Sequence, residues 1–149
     1  MDMTLEAIHL EHAMRTLGTS LLDQPFPSHD GTPSELVGGF TWAGVVQASG
    51  DFSGGVALRC GTQAAEALAR GLLQETGPVS NEVLQTTLAE LAQLVAGAIE
   101  PLLGEDVQLA AARSMQGSAV GRLGDNASVV ARVLLTVGGE ALDVAVYRI

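Results

Sequence analysis

Apolar residues recur at helical spacing over residues 3–18, where Leu5, Ile8, Leu10, Ala13, Met14 and Leu17 form one broad stripe ending at Gly18. The stretch "TSLLDQPFPSHDGTPSE" then breaks the pattern with three prolines and a glycine, so residues 19–34 read as a loop. The next stretch, "GGFTWAGVVQASGDFSGGVALRCG", reads as two strands. Strands are expected at about 39–48 and 54–60, joined as an antiparallel hairpin by the turn chemistry of "SGDFSGG".

Helical spacing returns in "TQAAEALARGLLQE", with Thr62 as its candidate N-cap, and again after "TGPVS". Ser80 or Asn81 can cap this longer helix, and Glu82 suits the positive end of its dipole. It is expected to run to about Leu103 and stop at Gly104, with Pro101 kinking it or ending it earlier. The last third is strand-like. Val107 to Met115 reads as one strand and Ser118 to Leu123 as a weaker one. "ASVVARVLLTV", Gly138-Gly139 and "EALDVAVYRI" form a closing hairpin. Hairpins imply antiparallel pairing, and the order of elements predicts an α+β layered domain with helices covering a mostly antiparallel sheet.

Composition narrows this picture. A length of 149 residues suits one domain spanning 1–149: helix 3–18, loop 19–34, core 35–149. Apolar residues are 47% of the chain but aromatics only 3%, so the core must be aliphatic. A net charge of −10 argues against nucleic acid or an anionic membrane as partner, since both select basic surfaces. Cys60 is alone and cannot form an internal disulfide; with no apolar signal segment at the N-terminus, a cytoplasmic setting is expected. No stretch approaches the roughly 20 apolar residues of a membrane span.

The long helix carries the candidate chemistry. On a wheel of about 100° per residue, Leu84, Leu88, Leu91, Val95, Ala98, Ile99 and Leu102 gather on one face. Thr86, Glu90, Gln93 and Gly97 gather on the other, with Glu82 and Glu100 on its flank. By periodicity alone this strip is the wet side of a buried helix. Its small neighbours, Ala89, Ala96 and Gly97, would let a partner's backbone come close.

"ELAQLVAGAIEPLL" resembles the active-site helix of the CheX branch of the CheC/CheX/FliY chemotaxis phosphatases, whose motif is Glu-x-x-Asn followed by small residues. "SGDFSGGVALRCGTQAAEALARGLL" is similar to the Gly-rich turn, strand and helix that precede it there. The resemblance covers roughly residues 36–148 and implies a CheC-like fold with one long motif-bearing helix. It also implies a substrate, the aspartyl phosphate of a CheY-like response regulator. Glu90 would dock on the regulator, Gln93 would place a water, and Thr86 and Gly97 would face the partner. The regulator would supply Mg²⁺, so neither cofactor nor metal is expected in this chain. The branch also implies a homodimer.

Three positions depart from the family's pattern. Gln93 stands where the family has Asn, which keeps the amide and adds one methylene, roughly 1.5 Å. The unrelated regulator phosphatase CheZ uses a glutamine for this role. Gln116 replaces a frequent proline, and Thr86 an Asp or Ser. One motif per chain fits the CheX branch, since the helix "TQAAEALARG" offers only Glu66 and Ala69. A catalytically degenerate binding module is the alternative reading, and a small-ligand sensor a weaker third.

Other candidates carry bland readings. His9 and His12 lack a third ligand and suit a solvated helix face. Asp51 suits a turn, and "GDFSGG" lacks the following Lys-Ser or Lys-Thr of a phosphate loop. Ser53 and Ser118 lack a nucleophile-elbow context, and Cys60 suits core packing. Trp42 fits either the core or an interface anchor.

Overall fold

The computed structural model describes residues 6–18, 40–73, 77–117, 119–120, 123 and 127–149. The expected loop 19–34 lies outside them, as do residues 3–5 of the first helix. The elements run α1 (Ala7–Leu17), β1 (Trp42–Gly50), β2 (Gly54–Cys60), α2 (Thr62–Leu73), α3 (Asn81–Leu103), β3 (Val107–Leu109), β4 (Arg113–Gln116), β5 (Ser128–Val137) and β6 (Glu140–Arg148). All strand pairs are antiparallel, in the order β3-β1-β2-β6-β5, with β4 also on the outer side of β1. The α+β layered class is therefore the observed one.

Strand alternation divides the apolar residues between two faces. Trp42, Val46, Val56, Leu58, Leu142, Val144 and Val146 point under the helices and form the main core with Leu84, Leu88, Leu91, Val95 and Ile99 of α3. Ala43, Val45, Ala57 and Ala141 point the other way, into a thinner cluster closed by Phe40 and Val120. Trp42 is 2% exposed, which places it in the core, and its indole N–H donates to the Thr62 hydroxyl at 3.2 Å.

Thr62 is thus not the cap of α2. The Gly61 carbonyl accepts the first helical bond, from the Ala65 N–H, and the Glu140 carboxylate accepts from the Ala64 N–H at 2.8 Å. A side chain from β6 therefore satisfies the donor that a local cap would have taken. Ser80 does cap α3, accepting from the Val83 N–H at 3.3 Å.

α3 runs through Pro101 to Leu103. Proline removes the bond to the carbonyl four residues back, here that of Gly97, and Gly97 is exposed, so water can replace the missing donor. The closing hairpin turns on Gly138 and Gly139, with φ of +59° and +80°, the paired left-handed residues of a type I′ turn.

Two strand expectations change. Val107 to Met115 is two short strands separated by Ala110-Ala111-Ala112. Of the weaker Ser118–Leu123 strand, Ala119 and Val120 lie in a tight turn that follows Gly117 at φ +100°. Val120 N–H donates to the Gly117 carbonyl and Leu123 N–H to the Val120 carbonyl, three residues apart each time.

Cys60 ends β2 fully buried, and burial, then the Glu140 charge, pushes its thiol up to about 12. A thiol reagent at pH 8 is expected to label Cys60 only as fast as the chain opens; immediate labelling in native buffer would contradict this burial. The unfolded thiol ionises near its ordinary 9.0 while the native one keeps its proton, so this group lowers stability as pH rises from about 9 to 12.

Candidate functional site

α3 can carry a site because one side of it is held hard against the sheet. Gly44 of β1 lies directly beneath it. A Cβ there would fall 2.1 Å from the Leu88 carbonyl oxygen, so only glycine lets the helix sit this close. Thr87, one turn before the motif, is 2% exposed, and Leu91, Ala92 and Val95 are fully buried.

The polar strip faces outward as its spacing predicts: Thr86, Glu90, Gln93 and Gly97 are all exposed. Ala98, expected on the core face, is exposed too, because it lies only about 80° from Glu90 around the helix. Leu94, 41% exposed, lies on the same side.

Thr86, Glu90 and Gln93 line an open groove of about 460 Å³ between α3 and the outer strand, together with Gln85, Ala89, Ala112 and Ser114. A second hollow, of about 260 Å³, lies on the far flank between α3 and α2. It is walled by Leu72, Leu73, Glu82, Val83 and Thr87 and again by Thr86 and Glu90. Thr86 and Glu90 therefore form a ridge with a hollow on each side. Gly97 lines neither hollow, and among the described residues no atom beyond its own helix backbone and chain neighbours lies within 4 Å of where its Cβ would be.

The Gln93 carboxamide is tied down. Its Oε1 accepts from the Ala112 N–H at 3.1 Å. Since the partner is a donor, the acceptor must be the oxygen, and among the described residues the amide NH₂ has no partner. Helix periodicity misses Ala112, Ser114 and Leu73, which come from other elements. "LAAARSM" offers no charged, aromatic or metal-ligating cue at the alanines, and Leu73 reads as one more apolar helix residue.

The remaining candidates lie elsewhere. Asp51 accepts from the Asp106 N–H at 3.0 Å and pins the β1–β2 turn to the connection after α3. His9 Nδ1 accepts from the Glu6 N–H at the start of α1. Among the described residues no three His, Cys, Asp or Glu side chains cluster as metal ligands, and no helix is long and apolar enough to cross a membrane.

The family model for the chemotaxis phosphatase CheX matches residues 42–131, from the first residue of β1 into β5 and across the whole of α3. The chain belongs to the CheX family. Solved CheX structures share its fold. Chemotaxis protein CheX from Vibrio vulnificus superposes with a TM-score of 0.73 at 12% identity, over 94% of this chain and 93% of that one. CheX in a CheX–CheY–BeF₃–Mg²⁺ complex from Borrelia burgdorferi gives 0.73 at 15% identity, over 93% and 94%. CheX from Desulfovibrio desulfuricans gives 0.68 at 14%, over 94% and 96%. No curated protein matches the chain. Glu90 and Gln93 both lie inside the matched segment.

Proposed function

We propose that this chain removes the phosphoryl group from the aspartyl phosphate of a CheY-like response regulator. The observation that carries this reading is the exposed ridge of α3, where Glu90 and Gln93 stand beside an open groove within the segment that the CheX family model matches. The Borrelia relative crystallised with CheY supplies the kind of partner.

The chemistry asks little of this protein. A water oxygen attacks phosphorus in line with the aspartyl oxygen. The phosphorus–oxygen bond to the aspartate breaks, and the products are a free carboxylate and inorganic phosphate. Phosphoryl transfer needs positioning and charge neutralisation above all. The regulator with its Mg²⁺ neutralises the charge. Gln93 places the water, and as a neutral amide it does so without repelling the phosphoryl oxygens. Glu90 and Thr86 dock the ridge, and the open space over Gly97 admits the partner's backbone. A homodimer belongs to the same reading, and light scattering at micromolar concentration checks it.

The test mixes the chain with phosphorylated response regulators of its own organism and follows phosphoryl loss. Decay should accelerate with one of them. Gln93→Ala should remove the acceleration, on the order of a hundredfold, and Gln93→Asn should keep part of it. A second reading, a binding module without catalysis, draws on Gln93 standing where the resemblance puts an asparagine. Regulator binding without faster decay would select it.

A further inference from the structure

The break in the outer strand is one residue of extra chain. Ala48 of β1 faces Leu109, whereas Val45 faces Arg113, so three steps along β1 are matched by four along its neighbour. This is a β-bulge, a device that re-aims groups near functional sites. The Ala110 N–H still donates to the Gln47 carbonyl at 2.9 Å, so the ladder holds on one side of the bulge. Register resumes at Arg113 on the other. The Ala112 N–H is the donor turned out of the ladder, and it meets Gln93 Oε1.

We infer that Ala112 is a positioning residue for Gln93: the bulged strand holds the carboxamide oxygen and aims the amide NH₂ at the group docked in the groove. The inference rests on the phosphatase reading and adds how the longer side chain is used. An unrestrained glutamine has three freely turning bonds, and ordering them is costly. The Ala112 N–H orders them before the partner arrives, which is the benefit of preorganisation. It also draws the extra length sideways, toward the strand, so the amide does not overshoot the water. Asparagine, shorter by roughly 1.5 Å, could not span the same gap. Among the described residues the carboxamide nitrogen meets no acceptor, so it is free to donate to a phosphoryl oxygen or to the water.

Two measurements separate the restraint from the reaction. Amide exchange of the free chain, followed by NMR, reads the restraint alone. The Ala112 N–H should be protected in the native chain and in Gln93→Glu, which keeps the acceptor. It should exchange about tenfold faster or more in Gln93→Asn and Gln93→Ala. Equal exchange in all four overturns the inference. Kinetics on the phosphorylated regulator reads the consequence. Ala112→Pro, which removes the donor, should lower kcat about tenfold and leave KM unchanged; Gln93→Asn should do the same. Gln93→Glu, restrained but lacking the NH₂, should lose activity. An unchanged kcat in Ala112→Pro, or in Gln93→Asn if the proline variant does not fold, overturns the positioning role. If the native chain itself does not speed decay, the phosphatase reading fails and the positioning role with it, while protected exchange still establishes the restraint.

Discussion

Replacing Asp143 with alanine should destabilise the fold by about 3–5 kcal/mol, the largest loss expected from any single side chain here. Asp143 is fully buried on the face of the sheet away from the helices. Its cross-strand partner on β2 is Arg59, itself 5% exposed. Arg59 Nε donates to Asp143 Oδ2 at 2.9 Å, and a terminal guanidinium nitrogen lies 2.7 Å from the same oxygen. Arg132 Nε of β5 lies 2.9 Å from Oδ1 as an ion pair, off the line of a good hydrogen bond. The Arg59 guanidinium also stacks over the Phe40 ring, 4.8 Å from its centroid.

Desolvating three charges is expensive, and the cluster need not stabilise the fold relative to a well-packed apolar substitute. Removing the anion alone is another matter. It takes from two neighbouring guanidiniums, one of them buried, the carboxylate that they share. Arg132→Ala should cost less, since that side chain is 29% exposed and water can replace it. Urea unfolding of the three proteins checks the order. A loss under about 1 kcal/mol for Asp143→Ala would show that the cluster opens to water.

Gly44→Val should have the second largest effect, and it should appear in activity as well as stability. Even the first added carbon would sit 2.1 Å from the Leu88 carbonyl oxygen and 3.2 Å from the Ala92 Cβ. A backbone oxygen cannot swing aside as a side chain can, so α3 must withdraw by more than 1 Å or the strand must buckle. Overpacking of this kind costs about 3 kcal/mol or more. Withdrawal would also part Gln93 from Ala112, which belong to different layers. Dephosphorylation should therefore fall by about a hundredfold where the variant is still folded. A folded Gly44→Val with native kcat would show that the site does not depend on the seating of α3.

The helices were legible because each carries its own period. The stripe Leu84, Leu88, Leu91, Val95 and Ile99 could be nothing but a buried helix face, and it is fully buried. Ser80 was legible as a cap because capping is local chemistry. Thr62 was misread because its helix end is satisfied from β6, 76 residues beyond Ala64. The end of α3 at Leu103, just before Gly104, was legible too, and Pro101 does not end the helix earlier. Val107–Met115 was read as one strand because a bulge of alanines leaves the alternation of its flanks in place.

Local chemistry, then, determined the helices, the hairpins, the family resemblance and the exposure of Glu90 and Gln93, since each depends on residues within a turn or two of chain. Tertiary structure alone decided what surrounds them. The glycine that seats α3, the strand N–H that holds the carboxamide and the buried charges on the far face are meetings of distant segments. Such meetings depend on sheet register and on the distance between layers, and no period in the sequence encodes either.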